Sequence, residues 1–409
     1  MFCRCSVLCL LFVFINLNGP QPQRTTAAFD IHPPHPKGLP FSKVLDLARQ
    51  RFAIDANEND ELYVKPMKGR VAVITGAAGG IGQGLATLIH RLGGTVVALD
   101  RNQKGLEDMK LSLERAYKDN QESRIVTVTT HHEDLSSVAR AAEDISRRFD
   151  AIDLLINNAG LTYPANISPE MNLAKAANGK DLVFTVNYLS HFLLTEKLLK
   201  NLINANGRVV HLTSTYHWKV DGSELVPSSG SKHPKAYESD PRKQGPRHFE
   251  RSYGNTKLAQ IYHSHWIGAK TNCSSVCACP TWAATGIGGE DNRDFLQKMA
   301  FSVSGCGPGL TSSINAMLRT DDELGDALND GKSFVANSRT LDYIKGKTLW
   351  LSLPIWRDKF ADLIGIVLLL CQNLFHDDLI IQKTSKESWD VTKRDLLYSW
   401  SREEVQHYI

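Results

Sequence analysis

Tyr253 and Lys257 stand four residues apart in Tyr253-Gly-Asn-Thr-Lys257. At that spacing two side chains share one face of a helix, so a phenol and an ammonium point the same way. A tyrosine near its ordinary pKa of about 10 is a poor base at neutral pH. A neighbouring cation favours the phenolate and lowers that value, as general acid–base work requires. The spacing alone is common in unrelated helices, so its meaning depends on what surrounds it.

A second chemical stretch runs from Val71 to Gly82, V-A-V-I-T-G-A-A-G-G-I-G. Four apolar residues lead into a glycine-rich turn, and Ile81, Leu85, Leu88, Ile89 and Leu92 then follow at helical steps. Strand, tight turn and helix in that order offer N–H groups and a partial positive charge to an anion such as a pyrophosphate. Thr75, Gly76, Gly80, Ile81 and Gly82 are the candidate cofactor contacts there. The next apolar run, Thr95 to Asp100, ends in a carboxylate 18 residues beyond Gly82. Such a carboxylate can accept hydrogen bonds from a ribose diol and would repel a 2′-phosphate, whereas Arg101 beside it could hold that phosphate. The charge argument favours NAD over NADP.

The elements that must position these groups follow in chain order. Ile125 to Thr130 reads as a third strand, and Ile152 to Ile156 as a fourth that runs into Asn157-Asn158-Ala159-Gly160. Between them Asp134 and Leu135 open a helix carrying Val138, Ala141, Ala142, Ile145 and Phe149. Asp134 is read as its N-cap, with a contact to an adenine amine as a second role. Asn187 sits in an otherwise apolar helix, where an amide is costly unless paired. Gly207 to Ser214 reads as a fifth strand and Ser274 to Pro280 as a sixth, in which Cys277 and Cys279 alternate with apolar residues.

Taken together, Thr75-Gly76, Gly80-Ile81-Gly82 and Asn157-Asn158-Ala159-Gly160 resemble the short-chain dehydrogenase/reductase family. Asn187, Ser214, Tyr253 and Lys257 stand in the family's order. Phe184 to Thr195 is similar to the corresponding helix of the retinol-dehydrogenase-like branch. The resemblance implies a doubly wound α/β Rossmann fold with a parallel sheet. It further implies hydride transfer between a nicotinamide and a carbonyl or alcohol. In that reading Tyr253 exchanges the proton, Lys257 lowers its pKa and binds the nicotinamide ribose, Ser214 polarises the substrate oxygen, and Asn187 holds a relay water. Asn157, Ala159 and Gly160 would line the cofactor cleft, with Pro280 and Thr285 near the nicotinamide. Thr281 stands where the family commonly has glycine. A scaffold or sensor with little chemistry, and a carbon–carbon double-bond reductase, fit the same residues. The branch hints at a lipophilic substrate.

Composition bounds the rest. With 409 residues and a net charge of +3, the chain has ample core material and no basic block that suggests a nucleic-acid partner. The eight cysteines lack zinc-type spacing, and no metal site is expected. Residues 1–28, with Arg4 before the apolar run Ser6 to Ile15, read as a signal segment or an uncleaved anchor. That points to the secretory pathway, the ER, or an organelle reached through it, such as a complex plastid. Residues 29–68 read as a linker and a helix over Phe41 to Ala56, and 69–405 as the main domain. Within it, 215–252 is an insertion that is either a lid and pocket wall or a solvated loop. Region 286–405 supplies substrate wall and C-terminal elements, 286–356 yielding no assignable element. Leu363 to Phe375 reads as a buried helix at a homodimer interface, with a membrane-dipping helix as the alternative. The tail from Arg394 to Val405 reads as a helix.

Overall fold

The computed structural model describes residues 41–54, 65–117, 123–163, 173–243, 248–280, 307–336 and 379–409. Its strands are β1 (Val71–Thr75), β2 (Thr95–Asp100), β3 (Ile125–Thr129), β4 (Leu154–Asn157), β5 (Arg208–Leu212), β6 (Ser274–Ala278), β7 (Ser333–Ala336) and β8 (Ile380–Lys383). They form one sheet in the order β3-β2-β1-β4-β5-β6-β7-β8. Every neighbouring pair is parallel except β7 with β8. From β1 the chain builds outward to β2 and β3, and from β4 it builds the other way. The crevice beyond the carboxyl ends of β1 and β4 is therefore the topological switch point, where open α/β sheets bind ligands.

The main helices are α1 (Phe41–Arg51), α2 (Gly80–Arg91), α3 (Gln103–Ala116), α4 (Leu135–Arg148), α5 (Ser190–Asn204), α6 (His248–Lys270), α7 (Gly307–Leu318) and α8 (Val391–Glu404). β1 shows why they lie on both faces. Its alternate side chains Ala72 and Ile74 join a core with α1, α2, α3 and α7. Val71 and Val73 join a second core with α4, α5, α6 and α8. A strand covered on both faces reads as a near-continuous apolar run, as V-A-V-I does before the buried, hydrogen-bonded Thr75.

The doubly wound parallel sheet expected from the sequence is present. Several bounds differ: the first helix stops at Arg51, β4 runs from Leu154 to Asn157, and β6 ends at Ala278. α7 and β7 fall in the stretch that yielded no assignment, and β8 adds an antiparallel edge. The described part of the insertion carries short helical turns, with exposed residues such as Ser228, Ser229 and Gly230 and with Tyr237 as an anchor to the core. Tyr237 is wholly buried against Phe184 and Trp400, and its hydroxyl donates to Glu404 Oε1 at 2.8 Å. The N-terminal segment, Thr281, Thr285 and Leu363–Phe375 lie outside the described residues. Among the described residues, no helix is long and apolar enough to cross a membrane.

One buried cation holds a sheet edge to a helix end. Arg208 opens β5 with no exposed surface. Its Nη1 donates to Ala316 O and Arg319 O at 2.9 and 2.8 Å, at the carboxyl end of α7. Its Nη2 pairs with Asp321 at 2.5 Å. Those carbonyls are helix-end acceptors with no intrahelical donor. Arg208→Met should leave them unpaired and lower the unfolding free energy by about 3 kcal/mol. A denaturant titration with an unchanged midpoint would contradict this.

Candidate active site

At the carboxyl end of β1 the chain turns on Gly76, whose φ is +67°. A Cβ there would lie 2.9 Å from Asn158 Nδ2 and 3.0 Å from Ala159 Cα, so the two loops at the switch point close on each other only through glycine. At Gly82 an added Cβ would fall 2.2 Å from Gly76 O, which fixes the helix against its own turn. The two loops are laced by Thr75. Its Oγ1 accepts from the N–H groups of Asn158 and Ala159 at 2.9 Å each, and Asn158 Nδ2 donates to Thr75 O at 2.7 Å. The start of α2 has no side-chain cap on its N–H groups. A helix beginning uncapped beside a glycine turn fits a pyrophosphate.

Asp100, which the sequence offers as a ribose reader, is built into this turn. Asp100 Oδ2 accepts from Ala78 N at 3.1 Å and Oδ1 from Asn102 N at 2.9 Å. Its carboxylate is thus held over the glycine loop, while Arg101 is exposed. Asp134 caps α4 by accepting from Ser136 N at 2.9 Å. Leu135 and Ile81 are buried, with their side chains in the core. The side chain of Asn157 departs from the cleft-lining expectation. Wholly buried, it donates to Thr195 Oγ1 at 3.1 Å, so the cleft side of this turn is tied by Asn158 instead. Ala159 and Gly160 are half-buried at the turn, and Pro280 is half-buried just after β6.

Asn187 lies in a single π-helical turn, Thr185–Leu189, that leads into α5. Such wide turns frequently mark functional positions. Its side chain is fully paired: Oδ1 accepts from Leu161 N at 2.9 Å, and Nδ2 donates to Leu161 O at 2.8 Å and Thr256 Oγ1 at 3.2 Å. The amide therefore holds the loop after Gly160 against the helix that carries Tyr253. Its main-chain oxygen accepts from Gln260 Nε2 at 2.8 Å and from His191 Nδ1 at 3.0 Å. That oxygen thus takes its two donors from an amide and an imidazole.

Ser214 caps a short 3-10 segment, Thr215–Lys219, just beyond β5. Tyr253 and Lys257 sit on α6, and Lys257 Nζ lies 5.1 Å from the centre of the Tyr253 ring. The Ser214 side chain acts on the Tyr253 phenol in the sense that favours its ionised form. Lys257 Nζ donates to Leu212 O at 2.7 Å and to Gln260 Oε1 at 3.1 Å. All four sequence-derived candidates, Asn187, Ser214, Tyr253 and Lys257, are thus brought together. A continuous series of hydrogen bonds runs from Thr75 through His191, Asn187 and Gln260 to Lys257.

The electrostatics differ from the sequence expectation. Burial, rather than the cation, governs Tyr253 and pushes its phenol pKa above the ordinary range, with Ser214 acting in the opposite sense. Burial also pulls the Lys257 ammonium down to about 7. Desolvation disfavours the charged form of each group, and neither faces a full opposite charge.

Three further residues were given no role by the sequence. His191 is wholly buried with its rotor fixed at both ends. A carbonyl can only accept, so Nδ1 carries the proton and Nε2 faces Thr75 Oγ1 at 3.0 Å. Gln260 has no motif beyond its place one turn after Lys257 on α6. His217 donates from Nδ1 to Ser214 O at 2.6 Å and accepts at Nε2 from Ser385 N at 3.1 Å, anchoring the serine loop to the C-terminal segment. A cavity of about 350 Å³, lined by Lys232, His233, Trp400, Glu403, Glu404 and His407, shares no residue with this site.

Among known protein families, residues 70–234 match the one described as short chain dehydrogenase. Dehydrogenase/reductase SDR family member 7B of Mus musculus is 28% identical over 223 residues, which cover 50% of this chain and 65% of that protein. The Bos taurus protein of the same name is 33% identical over 153 residues, covering 36% and 45%. Short-chain dehydrogenase TIC 32 A, chloroplastic, of Brassica napus is 28% identical over 214 residues, covering 50% and 59%. The chain thus spans between 45% and 65% of the length of these relatives. A solved structure of an uncharacterized protein from Mycobacterium paratuberculosis superimposes with a TM-score of 0.51 at 19% identity. It covers 82% of this chain and 93% of the other, a likeness of fold.

The buried imidazoles behind the site set a pH dependence of stability. Burial lowers His132 to about 4 and His263 to about 3, and holds His191 and His211 well below the usual histidine value. In the unfolded chain all four take up protons near 6.5. Their contribution is therefore complete above pH 6.5 and is lost as pH falls towards 4. Asp181, raised to about 6 by burial, and Glu196, also raised by burial, act in the opposite sense, but they are two carboxyls against four imidazoles. The denaturant midpoint should fall steadily between pH 6.5 and 4; a flat profile there would contradict the burial of these rings.

Proposed function

Because the chain belongs to the short-chain dehydrogenase/reductase family, we propose that it is a nicotinamide-dependent oxidoreductase acting on a carbonyl or alcohol of a lipophilic small molecule. The observation that carries this reading is the meeting of Tyr253, Ser214 and Lys257 beside the glycine turn, at the crevice where the sheet changes direction. When bound, the nicotinamide supplies or takes up the hydride. The chain's own groups handle the proton. Tyr253 exchanges it with the substrate oxygen, and Ser214 donates a hydrogen bond to the same oxygen. Lys257 steadies the cofactor ribose and the phenolate that forms. Asn187 holds the loop after Gly160 and the Tyr253 helix at a fixed separation, so the reacting groups are positioned in advance.

A phenol pushed upward by burial rests in its protonated form at neutral pH. That form is ready to donate, which suits carbonyl reduction. The carboxylate of Asp100, fixed above the glycine turn, supports NAD as the preferred cofactor. The family context supports a homodimer. The N-terminal pattern, and the similarity to the chloroplastic relative from Brassica napus, support an organelle reached through the secretory route.

Parallel fluorescence titrations with NADH and NADPH test the cofactor assignment. Unmodified protein should bind NADH at least about tenfold more tightly, a difference of about 1.4 kcal/mol. Asp100→Ser should narrow or reverse that ratio, because the repulsion of the 2′-phosphate is removed while Arg101 remains. A preference for NADPH that Asp100→Ser leaves unchanged would contradict the role given to Asp100.

A further inference from the structure

We propose that Gln260 is a positioning residue that holds Lys257 by bridging its ammonium to the main-chain oxygen of Asn187. The inference rests on the reading of Lys257 as the cofactor-steadying lysine.

Gln260 is buried, 1% exposed, one helical turn after Lys257. Its orientation is fixed by chemistry. Asn187 O can only accept, so the atom 2.8 Å from it is the Nε2 donor. The other end of the amide is then the oxygen, which faces Lys257 Nζ at 3.1 Å. The second acceptor of Nζ is Leu212 O at 2.7 Å. Two of the three ammonium N–H bonds are thus directed by fixed neutral dipoles, which leaves the third for a ligand hydroxyl.

The surroundings give these dipoles weight. The titratable groups facing Lys257 are Tyr253 on its own helix, the Cys277 and Cys279 thiols on and just after β6, His211 on β5 and His191 on α5. None of them is a carboxylate. Stabilisation of the buried cation therefore comes from hydrogen bonds, and deleting one of two acceptors must show in its titration. The amide also acts differently from a water at the same place. It fixes direction, but it does not exchange protons as a water does, so Lys257 is tied to Asn187 mechanically.

The test compares full-length wild type, Gln260→Met and Gln260→Glu. NADH affinity is measured by fluorescence across pH, and the Lys257 Nζ resonance is followed in ¹⁵N-lysine-labelled protein, assigned with Lys257→Met. Methionine matches the volume but offers no acceptor, so the Lys257 midpoint should move down by about one unit, tenfold in the protonation equilibrium. Glutamate puts an anion beside the ammonium and should move the midpoint up by a similar amount. Both variants lose the donor to Asn187 O, so a purely structural role would destabilise both and leave the three midpoints together. Superimposed midpoints would overturn the proposal. If wild type binds neither NADH nor NADPH, the functional reading fails, while the Nζ titration still decides the role of Gln260.

Discussion

A lysine ammonium that is almost wholly withdrawn from water, with no carboxylate to meet it, is the constraint on which the rest of this site depends. Moving a charge out of water costs several kcal/mol unless hydrogen bonds replace the lost solvent. Here the replacement comes from Leu212 O at the end of β5 and from the Gln260 amide. Each acceptor is itself tied down. Leu212 belongs to the central sheet, and Gln260 is held by the main-chain oxygen of Asn187. The lysine therefore stays where it is only while sheet, π-helical turn and α6 keep their mutual distances.

The polar groups behind the site follow from that requirement. Asn187 opens a wider turn so that its main-chain oxygen can take two donors from other side chains. His191 carries the connection on to Thr75, and Thr75 joins the glycine turn to the Asn158-Ala159 loop. The glycine turn and Lys257 are in this way parts of one hydrogen-bonded frame. The frame is costly in acid, because its imidazoles must remain uncharged. Rigidity at neutral pH and fragility at low pH have the same origin.

Much of this was legible in the sequence, for physical reasons. The strand-turn-helix of Val71 to Leu92 is written in apolar periodicity and glycine placement. The Tyr253-Lys257 spacing is a helix-face statement, and Asp134 caps its helix as its residue type suggests. Local pattern did not reveal β7 and β8, because four-residue strands are too short to show a period and their pairing is wholly tertiary. Nor could it reveal the electrostatics of the tyrosine and lysine. The expectation of a lowered phenol pKa weighed a nearby cation and had no measure of burial, which proved the larger effect. Asn157 was assigned to the cleft by the family resemblance, yet in a motif of two adjacent asparagines on a strand end one side chain must face the core. Gln260 and His191 were given no role, since polar residues on buried helices acquire meaning only from what they touch.

The most direct test of the central claim is single-turnover hydride transfer, read from nicotinamide absorbance with a panel of lipophilic carbonyls, in wild type and Tyr253→Phe. The account predicts reduction by wild type. For Tyr253→Phe it predicts loss of at least about a hundredfold in rate with NADH affinity nearly unchanged, since only the proton donor is removed. Equal rates in the two proteins would remove Tyr253 from the chemistry and with it the mechanism proposed for this chain.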